Sequence, residues 1–189
     1  MRKLKMHIAL SLDGYAAAAD GGFDWITYNA ALEARSHALT ADADTVVFGR
    51  VTYQGMQSYW PTVPDNPQSS PAEVRHARWL DRVTKVVVSR TLRQEETTWA
   101  GTLVLGDDFA ARLDALKRQP GGDMVSFGSP SLVNACLAAG VVDELYVNLI
   151  PVILGVGQLL FRPQARKPLH LVEAAPMPGG VAALLYRPA

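Results

Sequence analysis

Four short apolar runs, 45–48, 84–88, 102–105 and 124–127, recur along the chain. Each is followed by a polar turn and then by a stretch that favours helix. Runs this short and this rich in β-branched residues suit strands buried on both faces. Strands that alternate with helices build a largely parallel sheet, so the recurrence confines the chain to an open α/β class. Residues 4–12 supply a first strand and 145–150 a later one. Residues 169–175 and 181–186, joined by a turn holding Pro178, Gly179 and Gly180, read as a closing antiparallel hairpin. The expectation is a mostly parallel mixed sheet with helices on both faces, in one domain covering 1–189.

Helices are expected over 23–39, 51–57, 72–80 and 109–118. A further one starts at Ser129-Pro130 and ends at Gly140, with Ser129 as N-cap and Pro130 as the first helical residue. Asp108 fits as an N-cap for the helix at 109. Residues 16–22 read as a mobile surface loop. Pro61, Pro64, Pro67 and Pro71 make 59–71 a loop, long enough to be a lid or a substrate-facing segment.

Charge and composition narrow the partners. Lys plus Arg and Asp plus Glu both number 18, which argues against a general nucleic-acid surface or a membrane-surface role. No apolar run reaches the length of a transmembrane helix. The one cysteine, Cys136, excludes an internal disulfide and fits a reducing cytoplasmic setting. It reads as a small buried hydrophobe. His7, His37, His76 and His170 are scattered, so no metal site is expected. The partner that remains is a small molecule.

Three strand ends carry the chemistry: Gly49-Arg50-Val51-Thr52, Ser89-Arg90-Thr91 and Gly128-Ser129. A strand that turns into a helix presents free backbone N–H groups and the positive end of the helix dipole, both of which favour an anion. Arg50 and Arg90 add planar forks that suit phosphate. In a parallel sheet these turns share one edge, and a dinucleotide lying along it would use all three. There is no Gly-x-Gly-x-x-Gly after the first strand and no Gly-x4-Gly-Lys-Ser/Thr, so neither the common dinucleotide fingerprint nor a triphosphate loop is present. Arginine beside serine suits the 2′-phosphate that separates NADP from NAD. The alternative is that these are ordinary turns bearing solvated arginines. Asp13, in Ser11-Leu12-Asp13-Gly14, lies at a strand end where ligands bind in open α/β sheets, or else forms a plain Asp-Gly turn.

These segments, together with Val142-Asp143-Glu144-Leu145, Pro151-Val152-Ile153-Leu154-Gly155-Val156-Gly157 and Leu160-Phe161, resemble the dihydrofolate reductase-like superfamily. The branch most similar is the reductase domain of bacterial riboflavin-biosynthesis deaminase-reductases, over roughly residues 4–186. No Cys and His set for a deaminase zinc accompanies it. The resemblance implies a three-layer α/β/α fold, NADPH as hydride donor, and a 5-amino-6-(5-phosphoribosylamino)uracil reductase-like activity on a small heterocyclic or sugar-like substrate. By the same resemblance Gly49, Arg50 and Thr52 contact cofactor phosphates, and Ser89 and Arg90 hold the 2′-phosphate. Gly128, Ser129 and Leu132 sit under the diphosphate and nicotinamide, and the Ala9 backbone meets the nicotinamide amide. Asp13 is the implied catalytic residue, with Tyr15, Trp25 and Asn148 lining the substrate pocket. A homodimer is also implied, with 151–161 as a plausible contact. Dihydrofolate reductases carry a carboxylate where this chain has Ala30; Glu33 lies about one turn further along. Dihydrofolate reduction is therefore one alternative. A non-catalytic NADP-binding or redox-sensing protein is another.

Overall fold

Ten strands and five α-helices make up residues 1–161 and 166–189, the part of the chain described by a computed structural model. In chain order they are β1 (Leu4–Ser11), β2 (Tyr15–Ala17), α1 (Ala30–Thr40), β3 (Ala43–Gly49), α2 (Arg50–Tyr59), α3 (Pro71–Arg82), β4 (Thr84–Val88), β5 (Thr102–Leu105), α4 (Phe109–Lys117), β6 (Asp123–Phe127), α5 (Pro130–Ala139), β7 (Glu144–Ile150), β8 (Gln158–Leu159), β9 (Leu169–Met177) and β10 (Val181–Pro188). Eight strands form one sheet in the order β5-β4-β3-β6-β1-β7-β10-β9. The first six run parallel; β10 is antiparallel to β7 and to β9. Strands β2 and β8 pair separately.

Strand alternation sorts β1 into two sets. Leu4, Met6, Ile8 and Leu10 join Met124, Leu145, Leu113, Leu132 and Val133 in the core beneath α4 and α5. On the other face Val46, Phe48 and Val87 pack with Tyr53 of α2 and Leu80 of α3, while Val125 meets Leu39 of α1. The sheet is thus sandwiched between two helical layers, the three-layer, dihydrofolate reductase-like arrangement that the resemblance implies. Each fully buried Leu or Val contributes about 1.5–3 kcal/mol. No helix among the described residues is long and apolar enough to cross a membrane.

The edge of the sheet at the strand N-termini is laced with ion pairs. Lys3 meets Glu144 at 2.8 Å, Lys5 meets Asp123 at 2.8 Å, Lys117 meets Asp143 at 2.7 Å, and Arg2 pairs with Asp44. At the outer side of β5 the Gln94 carboxamide donates to Thr102 O at 2.8 Å and accepts from Val104 N at 2.9 Å.

Several boundaries differ from the sequence expectation, each for a local reason. Helix α1 starts at Ala30, not at 23, because the Asn29 side chain accepts from Ala31 N and Leu32 N and so caps the helix there. Residues 15–17 are a strand rather than loop, since β8 supplies a partner. The proline-rich segment holds a 3₁₀ helix, Trp60–Asp65, packed against α2 and α3. Asp108 precedes α4, but its side chain makes no cap bond.

Candidate functional site

The strand order reverses between β6 and β1: the chain leaves β1 through α1 toward β3, and leaves β6 through α5 toward β7. Such a reversal opens a crevice at the C-terminal ends of the strands. Its floor can be read from the ladder. Lys3 O accepts from Met124 N, and His7 O accepts from Gly128 N at 3.0 Å, so the odd-numbered residues of β1 turn their backbone groups toward β6. The β1–β6 register ends at His7 opposite Phe127. Ala9, next in that set, therefore directs its N–H and C=O past the end of β6 into the crevice.

Beside it, two helix N-termini meet. Gly49 is the N-cap residue of α2 and Ser129 that of α5, and neither residue makes a side-chain cap bond. Their strands, β3 and β6, are neighbours. A β-carbon on Gly49 would lie 2.5 Å from Ser129 Oγ and 3.9 Å from Leu132 Cβ. Gly128 and Ser129 both have positive φ, 67° and 63°, and Ser129 is the one non-glycine residue among the described residues to do so. That conformation costs of order 1–3 kcal/mol and clusters at ligand clamps. The arrangement aims two uncapped helix ends at one spot, which suits a diphosphate.

Further along the same edge, Arg50 is exposed at the first position of α2 and donates to Gln54 Oε1 at 3.1 Å. Thr52 is half-buried in the same turn. After β4, Ser89 Oγ accepts from Thr91 N at 3.1 Å and Leu92 N at 2.9 Å, shaping the turn that carries exposed Arg90. Neither arginine enters an ion pair among the described residues, in contrast to the cations at the opposite edge. Ala9 and Arg90 are separated by three inter-strand spacings of about 4.8 Å, or about 14 Å, a span that a dinucleotide can cover.

The residues assigned to the substrate divide into two groups. Asp13 and Tyr15 are taken up by the 151–157 loop. The Asp13 carboxylate accepts from Ser11 Oγ at 2.6 Å, Gly155 N at 2.8 Å and Leu154 N at 3.1 Å, and Tyr15 Oη donates to Gly155 O at 3.2 Å. The Ser11 hydroxyl first, and with it those two N–H groups, hold the Asp13 carboxyl below its ordinary value against the opposing effect of desolvation. In this geometry Asp13 clamps a loop with a half-exposed carboxylate. Trp25 and Asn148, by contrast, stay with Ala9. Trp25 and Ala9 both pack against the cluster of Ile26, Leu32 and Ile150, and Trp25 donates through Nε1 to Gly22 O at 3.2 Å. Asn148 lies opposite Ala9 on β7.

The family model for the RibD C-terminal domain matches residues 2–182. The chain belongs to that family. RibD C-terminal domains are reductases that use NADPH. Three solved structures share the fold of this one. A candidate riboflavin biosynthesis protein from Shewanella sp. PV-4 superposes with a TM-score of 0.74 at 20% identity, covering 99% of both chains. A diaminohydroxyphosphoribosylaminopyrimidine deaminase/5-amino-6-(5-phosphoribosylamino)uracil reductase from Thermotoga maritima gives 0.69 at 14% identity, over 100% of this chain and 57% of that one. Dihydrofolate reductase from Enterococcus faecalis, complexed with NADP(H), gives 0.62 at 16% identity, over 98% and 96%.

Within this RibD C-terminal domain, sequence reasoning missed an aromatic wall beside Ala9. His7 packs edge-on against Phe127 at 5.5 Å, Phe127 against His76 at 5.6 Å, and His76 against Trp60 at 4.6 Å. All four are half-buried. Burial, with help from the Arg35 charge, brings the His7 imidazole down to about 4, and burial followed by the nearby His37 brings His76 down to about 4. Both are therefore neutral near pH 7. The available signal was the spacing of Lys5, His7 and Ala9, one face of β1, which alone looks like a solvent face.

Proposed function

We propose that this RibD C-terminal domain is an NADPH-dependent reductase of the riboflavin-biosynthesis type, similar to 5-amino-6-(5-phosphoribosylamino)uracil reductase. It would act on an electrophilic carbon of a small heterocyclic or sugar-like substrate. The observation that carries this reading is the meeting of Gly49 and Ser129, where two uncapped helix N-termini converge next to the open backbone of Ala9. The residues present fit the cofactor: a side chain at position 49 would fill the cradle, and the two arginines on that edge pair with no carboxylate among the described residues. When bound, NADPH supplies the hydride.

In this reading the N-terminal turns of α2 and α5, with Gly49, Arg50, Thr52, Gly128, Ser129 and Leu132, hold the diphosphate. Ser89 shapes the turn from which Arg90 reaches a 2′-phosphate. Ala9 would offer one N–H and one C=O to the nicotinamide carboxamide. Trp25 and Asn148 border the substrate there, and Asp13 and Tyr15 hold the 151–157 loop at its margin. The protein's contribution is orientation and exclusion of water. Titration with NADPH and, in parallel, NADH, followed by tryptophan quenching, tests the reading. Tight NADPH binding with much weaker NADH binding is expected; binding of neither refutes it.

A homodimer is the assembly we propose, through the exposed Ile153, Val156 and Phe161 of the loop before and after β8. Light scattering on a sizing column should give twice the chain mass, and Ile153→Asp should shift it toward the monomer.

A further inference from the structure

Asn148 is 3% exposed, yet its amide oxygen has no hydrogen-bond partner among the described residues. Its amide nitrogen lies 3.0 Å from His7 Nε2. Both side chains project from the sheet face that carries α1: His7 is two residues before Ala9 on β1, and Asn148 is opposite Ala9 on β7. A neutral imidazole has one acceptor and one donor nitrogen. An amide N–H donating to Nε2 uses the acceptor, places the ring proton on Nδ1, and leaves the carboxamide oxygen unpaired. Turning the amide over would leave its NH2 group unpaired instead, on the face where Arg35 already carries an unpaired donor, Nε, and lies 5.5 Å over the Tyr146 ring. Crowding donors around a fixed positive charge is the worse arrangement, so the charge of Arg35 favours the orientation seen. A buried acceptor without a partner is costly, and a ligand that donates to it restores what the free protein lacks.

We propose that His7 is a positioning residue for the substrate: it holds the Asn148 carboxamide by its nitrogen, leaving the oxygen as the acceptor for a ring N–H. The ring itself would lie along the wall formed by Phe127, His76 and Trp60. The charged and titratable groups facing this pair are Arg35 from α1, Tyr146 from β7 and, beyond Phe127, His76 from α3. Carboxylates sit one contact further out, Glu173 at 3.9 Å from Arg35 and Glu144 bonded to the Tyr146 hydroxyl, and neither bonds His7 or Asn148 among the described residues, so an uncharged ring is favoured over a protonated one. The assignment rests on the reductase reading for its substrate side, but not for its test.

The test is calorimetric titration with two rings, 5,6-diaminouracil and its 1,3-dimethyl derivative, which lacks the ring N–H donors. Each is run on NADPH-loaded and NADPH-free protein. The wild type should prefer the N–H ring at least tenfold. His7→Phe, which keeps the ring packing but frees the amide, should reduce that preference below threefold. His7→Gln, whose carbonyl can again accept from the Asn148 amide, should return it above fivefold. Asn148→Ala should abolish it. The proposal is overturned if the wild type shows no preference or binds neither ring, or if His7→Phe keeps the tenfold preference. Equal loss in His7→Phe and His7→Gln would assign His7 a packing role and overturn it as well. Failure of the wild type to bind NADPH sinks the reductase reading alone, because the ring preference of the NADPH-free protein still decides this one.

Discussion

Ser129 Oγ occupies the space that a β-carbon on Gly49 would need, 2.5 Å from its position. Gly49→Ala must therefore displace the Ser129 hydroxyl from the start of α2, by rotation of that side chain or by a shift of the turn before α5. Overpacking of this kind costs about 1–3 kcal/mol. We expect a lower thermal midpoint and at least a tenfold loss of NADPH affinity, read by melting and by fluorescence titration. An NADPH dissociation constant within twofold of the wild type would refute the cradle.

Arg90 is exposed on a turn that Ser89 builds through two backbone N–H groups. Arg90→Ala should leave that turn intact and remove only a charge. NADPH affinity should then fall tenfold or more, while NADH affinity changes less than twofold. An equal loss for both cofactors would contradict the 2′-phosphate role.

Asp13 ties Leu154 and Gly155 to the end of β1. Its carboxyl is held below the ordinary 3.8, so it contributes stability above that value and loses it as pH falls through the lowered one. Hydrogen exchange at the Leu154 and Gly155 amides should speed up at least tenfold in Asp13→Ala at pH 6. Exchange on β7 should be unchanged. Unaltered exchange at both amides would dismiss the clamp and return Asp13 to the substrate side.

Glu144 is buried between Lys3, Tyr146 and Arg187. Burial alone would push its carboxyl up, but these three hydrogen bonds and the Lys3 charge together pull it down to about 2. A native carboxyl lower than the unfolded one stabilises above the unfolded value of 4.5, and that stability drains away between 4.5 and about 2 as acid is added. Urea midpoints measured across this window should fall steeply for the wild type and less steeply for Glu144→Gln. Parallel slopes would show that the pairing contributes nothing.

Where one physical requirement dominated, the sequence was readable. β4 and β5 fall at 84–88 and 102–105, as expected, because continuous β-branched and leucine runs leave no other way to bury both faces. Helix α5 is framed by Ser129, Pro130 and Gly140, with Gly140 in the left-handed conformation that ends it. Yet Ser129 holds the N-cap place without capping, since its side chain is turned toward Gly49. Asp13 was visible as a strand-end acid, but two of its partners, Leu154 and Gly155, lie more than a hundred residues away, and no local pattern points to them. His7 was hidden for a different reason: alternation marks it as lying off the leucine-rich face, and only the position of α1 shows that the other face is covered too.

Gln94 acts as a single-residue false strand, filling donor and acceptor positions on the outer side of β5. The two margins of the sheet are therefore unequal. β9, at the far end, has no ladder partner beyond β10 among the described residues, and most of its side chains are exposed. A sheet with one open margin can be extended once by another copy and then stops, whereas a sheet open at both margins can grow without limit. By closing one side, one carboxamide sets the greatest length to which edge-to-edge pairing of this chain can run.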